Sequence, residues 1–408
     1  MPLPPPPARP AVGAVIYPPG QPPEALMAQF AAALAERGFR LGGLIQQTRR
    51  DGAGRKLDMV VTELDSGRQL SIGQALGKES KACMLDSQAL AEASQAPRRA
   101  TKNGVDLLFF NKFSKSEREG QGLAAEMLAA MAEGIPTLTA VPGVLVEEWS
   151  VFTGGRTDLV APTLDALWRW WGADRLPRDL ALGVADVPVR RVVVGLNWTL
   201  VEGPDGIGLA QTPERGSPGC RPRPGAGETA GRSLRELAAG IESTDPFDQA
   251  LAVAACNAHY NRFDLAAEEA NGLDSFGSSG GGTVVIGAFP GIADRLPGAK
   301  VIDRRPGPGQ FPEAAAEALL PGAEAALITA STLANGSLPR LLELAAFARI
   351  ALVGPGAPLT PRLFSYGIEV TSGLVARDPD GLARAVAEGG GARDIKRFCH
   401  VACLRKGA

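Results

Sequence analysis

Short apolar runs alternate along the chain with stretches in which apolar residues recur every three or four positions. The first run covers residues 12–16, and in residues 24–37 Leu26, Phe30 and Leu34 share one face at helical spacing. An apolar run of this length predicts a buried strand, and the spacing that follows predicts an amphipathic helix. Repetition of this pair of elements predicts an α/β fold with a mainly parallel sheet covered on both faces.

The first predicted unit covers residues 11–172, after a proline-rich segment at residues 1–10 that is expected to form a disordered tail. A turn signal at Asp65-Ser66-Gly67 predicts a hairpin. The predicted strands are residues 12–16, 41–45, 59–64, 68–72, 105–110 and 136–141, and the predicted helices are residues 24–37, 123–132 and 164–171.

The pattern breaks between Gly172 and Val189, where we place a domain boundary. The second unit, residues 173–276, has strands predicted at 191–201 and 206–211 and helices at 234–241 and 247–260. The third, residues 277–408, begins with a glycine-rich connector at residues 277–282. Its strands are predicted at 283–286, 300–303, 325–329, 349–353 and 369–372, and its helical segments at 313–320, 338–347, 361–366 and 379–388. Repeated αβ units predict a doubly wound sheet with ligands at the carboxyl ends of its strands.

Composition narrows the classes of function. The 42 basic and 44 acidic residues give a net charge of -2, which supplies no field to hold a nucleic acid. No apolar run reaches the roughly 18 residues of a membrane span, and the N-terminus lacks the pattern of a signal peptide. We therefore expect a cytoplasmic protein with a small ligand or metal as partner. The sequence does not decide whether the protein forms a homo-oligomer.

Polar and basic residues follow the predicted strand at 105–110. Lys112 and Lys115 are candidates to face a phosphate or another oxyanion, and Glu117 is a candidate to orient a water or a metal. A solvated turn is the alternative interpretation. Residues 17–23 follow the first strand, and three of their prolines lie where a phosphate loop needs backbone N–H donors, so ATP hydrolysis through a standard P-loop is disfavoured.

Glycines, hydroxyls and guanidinium groups follow the predicted strands of the third unit. A glycine there lets a ligand approach the backbone, and an arginine binds carboxylate or an oxyanion through two parallel hydrogen bonds. The alternative is that these are only turns; their number at one sheet edge favours a ligand cleft. The candidates are Gly287, Phe289, Arg304, Arg305, Thr329, Thr332, Asn335, Gly336, Gly354 and Pro355.

Two groups of cysteine and histidine residues are candidate metal ligands. If residues 399–403 are helical, Cys399 and Cys403 share a face beside His400. Cys256 and His259 form a second pair at positions i and i+3 of a predicted helix. Packing of buried cysteines is the alternative for both groups.

The motifs of the first unit are residues 42–47, 83–86 and 111–117, with Gly120 and Gly122. They resemble a bacterial domain of unknown function that is found beside molybdate-transport genes and is distantly similar to P-loop nucleoside-triphosphatases. The resemblance implies a P-loop-like, NTPase-like domain, here with a degenerate P-loop. Members of that family usually carry glycine where this chain has Ser114.

The motifs of the second and third units are residues 195–199, 206–210, 255–261, 286–290, 303–306, 329–332, 335–336 and 354–359. They resemble the heavy-metal chelation family. The resemblance implies an enolase N-terminal-like part, a Rossmann-like part, and one site in the cleft between them, with Asn197 and Asn257 reaching in from the first part. Family members often have glutamate at the position of Asp303 and histidine at the position of Ala288.

The leading hypothesis is a metal- or oxyanion-binding protein in heavy-metal handling. Molybdenum is a candidate metal because of the family association alone. The sequence does not decide whether the protein is an enzyme. The alternative is a nucleotide-dependent enzyme or switch that uses the first unit. A scaffold with two degenerate sites is the third hypothesis.

Overall fold

A computed structural model describes residues 12–52, 56–73, 87–214, 225–276 and 281–407. The chain divides into two compact units, with the division between Trp171 and Gly172. The tail at residues 1–10 and the motif at residues 83–86 lie outside the described residues, as do residues 277–280 of the glycine-rich connector. None of the helices in the described ranges combines the length and the apolar content that a bilayer crossing requires.

The N-terminal unit contains one seven-stranded sheet in the order β4-β3-β2-β5-β6-β1-β7. The five strands from β2 to β7 in this order are parallel, and β3 and β4 extend the edge as antiparallel hairpins. The strands are β1 Val12–Tyr17, β2 Leu41–Arg50, β3 Lys56–Glu63, β4 Gln69–Ser71, β5 Leu107–Phe109, β6 Thr137–Pro142 and β7 Asp158–Val160. The helices are α1 Glu24–Glu36, α2 Ser87–Ala93, α3 Gln95–Asn103, α4 Lys115–Arg118, α5 Ala124–Ala132, α6 Val146–Thr153 and α7 Leu164–Trp171.

Aromatic side chains form part of the core of this unit. Phe113 and Trp149 are fully buried, and their ring centroids lie 5.1 Å apart in an edge-to-face arrangement. Close contact between α3 and β2 depends on Gly42, because a Cβ atom there would lie 2.3 Å from Cβ of Ala100. The apolar run predicted at residues 41–45 is therefore a strand that must carry a glycine where a helix crosses it.

The C-terminal unit contains a three-stranded sheet and a seven-stranded sheet. Its strands are β8 Arg191–Val194, β9 Trp198–Glu202, β10 Ile207–Gln211, β11 Thr283–Ile286, β12 Lys300–Asp303, β13 Phe311–Pro312, β14 Ala325–Thr329, β15 Arg349–Val353, β16 Ile368–Ala376 and β17 Cys399–Arg405. Its helices are α8 Leu176–Leu182, α9 Leu234–Ala238, α10 Pro246–Tyr260, α11 Ile292–Arg295, α12 Ala316–Leu319, α13 Ser331–Ala334, α14 Leu338–Leu344, α15 Pro379–Ala387 and α16 Ala392–Lys396.

The small sheet is antiparallel, in the order β10-β9-β8, and packs against α10. Helix α10 begins where Asp245 accepts a hydrogen bond from the backbone N–H of Phe247, with Pro246 in the first turn. The single strand predicted at residues 191–201 is wrong. Gly195 and Asn197 lie in a turn that divides this run into β8 and β9, which pair with each other.

The large sheet has the order β13-β12-β11-β14-β15-β16-β17. Its first six strands are parallel, and β17 runs antiparallel to β16. Counted along the chain, the parallel strands lie in the order 3-2-1-4-5-6 of doubly wound nucleotide-binding sheets. The order reverses between β11 and β14, where such sheets open a crevice. The predicted α/β fold class is confirmed.

The helix considered for residues 399–403 is wrong, because these residues form β17. Cys399 pairs with Ala376 and Cys403 with Ser372 across the antiparallel ladder. Positions i and i+4 share a face in a strand as well as in a helix, so the spacing alone did not distinguish the two.

Candidate functional site

A cleft of about 290 Å³ lies at the carboxyl ends of β11, β12 and β14, where the order of the large sheet reverses. This is the place where doubly wound sheets bind ligands. Its lining comes from strand ends of the large sheet, from the turns and helices that follow them, and from the end of β10 and the residues after it. The lining residues are Gln211, Glu214, Ile286, Gly287, Ala288, Phe289, Ile302, Asp303, Arg304, Arg305, Glu313, Ala316, Thr329, Ser331, Thr332, Asn335, Ser337 and Leu341.

Gly287 brings the backbone to the wall of the cleft directly after β11. Its φ angle is 99°, a conformation that favours glycine. A Cβ atom at this position would lie 2.8 Å from Cγ2 of Thr329. The glycine therefore keeps open the space between the ends of β11 and β14.

The carboxylate of Asp303 joins the turns that follow β11 and β12. Its Oδ2 accepts a hydrogen bond from the backbone N–H of Ala288 at 2.8 Å, and its Oδ1 accepts one from the backbone N–H of Arg305 at 2.8 Å. Both oxygens thus hold backbone groups at the rim. These two hydrogen bonds fix the backbone that carries Arg304 and Arg305.

Each arginine of the cleft lies next to a carboxylate. Nε of Arg304 is 3.6 Å from Oε2 of Glu313, and the guanidinium of Arg305 contacts Glu214. The two arginine side chains are 55% and 77% exposed, and ion pairs at such exposure stabilise by about 0–1 kcal/mol. A ligand can therefore displace either carboxylate at small cost. With Asp303, the lining holds three acidic and two basic side chains.

Neutral hydroxyl groups and an amide lie on the side of β14. The hydroxyls of Thr329 and Ser331 are 3.2 Å apart, and the hydroxyl of Thr332 donates to the carbonyl of Thr329 at 2.6 Å. Oδ1 of Asn335 accepts hydrogen bonds from the backbone N–H and the hydroxyl of Ser337, at 3.0 and 2.7 Å. This wall offers the cleft uncharged polar groups that local hydrogen bonds hold in place.

A recess of about 110 Å³ adjoins the cleft and shares Gln211, Thr329 and Ser331 with it. We call it the inner recess. The remaining residues of its lining are Trp198, Ala210, Val253, Ala330, Ala334, Gly354, Pro355 and Gly356. Gly336, with a φ angle of 75°, lies in the linings of neither the cleft nor the recess.

The two asparagines expected to reach into the cleft lie outside its lining. Asn257 is fully buried, and its Nδ2 donates to the carbonyls of Leu209 and Gly356, each at 2.8 Å. Nδ2 of Asn197 donates to the carbonyl of Gly389 at 2.8 Å. The structure gives both side chains backbone acceptors in neighbouring segments, and Asn257 joins β10 to the loop after β15.

The candidate thiol ligands do not converge. Burial raises the pKa of Cys256 and of Cys399 to about 12, and it also raises the pKa of Cys403. Four residues apart on a strand, Cys399 and Cys403 are separated by about 13 Å along the chain, too far for one ion. Within the described ranges, no three His, Cys, Asp or Glu side chains are grouped so as to hold a metal.

The histidines likewise lie outside the lining of the cleft. Burial, followed by the nearby charge of Arg262, lowers the pKa of His259, whose ring packs edge-on against that of Tyr260. His400 lies on β17, and its Nδ1 is buried without a hydrogen-bond partner among the described residues.

In the N-terminal unit, Lys112 lines a cavity of about 20 Å³ at the carboxyl ends of the strands. Polar side chains around it are already paired. Gln46 donates to Glu24 at 2.7 Å and accepts from Asn111 at 2.6 Å, while the hydroxyl of Thr48 donates to Glu24 at 2.7 Å. The cavity has room for about one water molecule.

Lys115 and Glu117 lie on α4 and differ in exposure. The side chain of Lys115 is 78% exposed and its Nζ is 3.9 Å from Glu119. Glu117 is buried, and its Oε2 accepts from the backbone N–H and the hydroxyl of Ser114, at 2.9 and 2.5 Å. Its Oε1 accepts from the backbone N–H of Leu123 at 3.3 Å. Glu117 therefore caps the start of α4.

Sequence reasoning did not select several residues of the two linings. Ser331 lies within the motif at residues 329–332 and Ser337 directly follows the motif at residues 335–336, so their position carried a usable signal. Glu214 and Gln211 follow or end a strand of the small sheet, and Trp198 begins another. Only tertiary packing brings these three to the large sheet.

Three family models match consecutive segments of the chain. Residues 12–170 match a family described as "Protein of unknown function (DUF2478)". Residues 178–260 and 273–405 match two families that are both described as "Putative heavy-metal chelation". Both resemblances drawn from the sequence motifs are thereby confirmed.

A curated relative matches the N-terminal unit. The molybdenum import ATP-binding protein ModC 2 of Bradyrhizobium diazoefficiens is 42% identical over 160 residues, which are 39% of this chain. The match spans only 18% of that protein.

Two solved structures resemble the C-terminal unit. A protein of unknown function from the DUF364 family of Desulfitobacterium hafniense DCB-2 is 26% identical, with a TM-score of 0.52 over 57% of this chain and 98% of that one. A second member of that family, from Pyrococcus horikoshii, is 18% identical with a TM-score of 0.47, over 57% of this chain and 98% of that one.

Proposed function

We propose that the C-terminal unit binds a metal chelate, a metal ion already held by the oxygen atoms of a small anionic molecule, in the cleft at the ends of β11, β12 and β14. The observation that carries this proposal is the mixed charge of the lining at the point where the sheet order reverses. Arg304 and Arg305 would bind the anionic oxygens, and Glu313 and Glu214 would lie close to the positive charge of the metal.

A bare heavy-metal ion fits the cleft poorly. Soft metals select thiolate and imidazole ligands, and a protein site usually supplies three or four of them. The lining of the cleft contains no cysteine or histidine. The side chains that do line it suit recognition of a complex whose own oxygens complete the coordination of the metal.

A bare oxyanion such as molybdate fits less well than a chelate for an electrostatic reason. The lining holds Asp303, Glu313 and Glu214 against Arg304 and Arg305. A dianion in this cleft gains attraction from two guanidinium groups and meets repulsion from three carboxylates. A chelate carries both signs of charge, so each side chain has a partner of opposite sign.

The metal-handling part of the proposal is supported by the shared description of the two family models that match the C-terminal unit. Molybdenum is the first metal to test, because a relative of the N-terminal unit is named for molybdenum import.

Equilibrium dialysis of the full chain, followed by elemental analysis, tests the proposal. The probes are molybdate, Ni²⁺ and citrate, each alone, and the complexes of molybdate and of Ni²⁺ with citrate. We expect at least one complex to bind at least tenfold more tightly than its separate components. Equal or tighter binding of free Ni²⁺ or free molybdate would contradict the proposal.

Arg304→Ala locates the site, and Arg377→Ala is its matched control. Arg377 also forms an ion pair, with Glu269, and its side chain is 60% exposed, but it does not line the cleft. Loss of a charged hydrogen bond to the ligand is expected to weaken complex binding about tenfold in Arg304→Ala and leave Arg377→Ala unchanged. Equal affinity in both variants would refute the role of the cleft.

A second candidate function is nucleotide binding by the N-terminal unit. It is favoured by the 42% identity to part of an ATP-binding protein and by the position of Lys112 at the ends of the strands. Saturable ATP binding that Lys112→Ala abolishes and Lys102→Ala preserves would support it. No saturable ATP binding by the wild-type chain would refute it.

A further inference from the structure

Trp198 lines the inner recess and carries an indole N–H without an acceptor. Its Nε1 is buried, with no hydrogen-bond partner among the described residues. Buried donors are nearly always paired in native proteins, and an unpaired one lowers stability. An unpaired donor on a residue that lines a cavity is therefore a group that a ligand can satisfy once the indole ring turns toward it.

The inner recess is lined by uncharged residues. Its apolar part consists of alanine, valine and proline side chains, and its polar part consists of Gln211, Thr329 and Ser331. A charged ligand group would lose its hydration there without an opposite charge in the lining. Gly354 and Gly356 have no side chains, so a flat group can approach the backbone on that side.

The volume of the recess fits a single ring. An apolar cavity of about 150 Å³ inside a protein binds one benzene molecule. The recess measures about 110 Å³ and shares Gln211, Thr329 and Ser331 with the lining of the cleft. It therefore has room for one planar six-membered ring whose substituents extend into the cleft.

We propose that the inner recess binds an uncharged aromatic or heteroaromatic ring of the ligand that carries a hydrogen-bond acceptor, and that Trp198 donates its indole N–H to that acceptor. This inference rests on the proposed function in so far as the ring belongs to the molecule that occupies the adjoining cleft. It makes the ligand an aryl-bearing chelator, with its charged metal-binding end between Arg304 and Glu313.

Nuclear magnetic resonance of the ¹⁵N-labelled full chain tests the inference through the indole N–H signals, with Trp198→Phe used to assign that of Trp198. The probes are benzamide, benzene and benzoate. Benzamide, a neutral ring with an acceptor, is expected to shift the Trp198 signal downfield in a saturable manner. Benzene is expected to bind more weakly, and benzoate to leave the signal in place. Absence of a saturable shift with benzamide, or tighter binding of benzoate, would overturn the inference.

Two variants measure the contribution of the hydrogen bond. Trp198→Phe keeps a ring in the lining but removes the donor, so benzamide affinity is expected to fall about five- to tenfold. The control is Trp149→Phe, which removes an indole N–H that already donates to Thr157 in the other unit, at 3.0 Å. Equal benzamide affinity in wild type, Trp198→Phe and Trp149→Phe would overturn the assigned role of Trp198.

The outcomes separate this inference from the proposed function. Binding of a citrate complex that depends on Arg304, together with no effect of benzamide on Trp198, refutes only the ring site. Saturable benzamide binding at Trp198, together with no binding of any complex, refutes the proposed function and leaves the ring site standing.

Discussion

Replacement of Asn257 by alanine tests how the small sheet is joined to the large one. The side chain is fully buried, and its Nδ2 donates two hydrogen bonds of 2.8 Å, to the carbonyls of Leu209 and Gly356. Each lost bond costs about 0.5–1.5 kcal/mol, and a buried carbonyl left without a donor adds to this. Oδ1 of Asn257 is itself buried without a partner among the described residues, so its removal offsets part of the cost. We expect a net loss of about 2–4 kcal/mol.

This loss corresponds to a decrease in Tm of about 4–16 °C for a unit of this size. Differential scanning calorimetry of the full chain measures it, with the transition of the C-terminal unit identified by hydrogen exchange of the α10 amides. The matched control is Asn197→Ala, which removes an exposed hydrogen bond from the side-chain amide to the carbonyl of Gly389. This variant is expected to shift Tm by at most about 2 °C. A shift in Asn257→Ala no larger than that in Asn197→Ala would refute the reasoning.

Two further predictions concern the cleft and the thiols. A Cβ in Gly287→Ala would lie 2.8 Å from Cγ2 of Thr329 at a φ angle of 99°, so complex binding in equilibrium dialysis is expected to fall at least tenfold. Gly291→Ala adds a Cβ at a positive φ angle with nothing within 4 Å, and binding there should be preserved; equal loss in both variants would contradict the steric argument. Burial raises the pKa of Cys256 and Cys399 to about 12, so little thiolate exists at pH 8 and the fraction rises with pH. Alkylation by iodoacetamide at pH 8, followed by mass spectrometry, is expected to be at least about 100-fold slower at these thiols than in a free cysteine peptide, and comparable rates would contradict it.

Four central strands of the large sheet were predictable because they are short apolar runs largely buried in the sheet. The runs at residues 283–286, 300–303, 325–329 and 349–353 match β11, β12, β14 and β15 to the residue. Each is a short apolar run that a polar or glycine-containing turn follows, the pattern of a parallel strand covered by helices. Residues at the end of such strands or directly after them, among them Gly287, Arg304 and Thr329, lie together in the lining of the cleft. Their role in binding stays a prediction.

The remaining features depend on contacts between distant segments. Trp198 and Gln211 lie on the small sheet, and no local pattern indicates that they line a recess with Thr329. Nor does the sequence around Asn257 reveal that its amide is already paired with two backbone carbonyls. The strand containing Cys399 pairs with residues more than twenty positions earlier in the chain. The spacing of Cys399 and Cys403 alone therefore did not show that these residues form a strand.

Anomalous diffraction at the nickel absorption edge, from crystals of the full chain grown with the Ni²⁺–citrate complex, tests the central claim most directly. The account predicts a nickel peak in the cleft, with citrate oxygens around the metal and at least one citrate carboxylate hydrogen-bonded to Arg304 or Arg305. A peak coordinated by Cys399, His400 or Cys403, or no peak in the cleft at saturating complex, would contradict it.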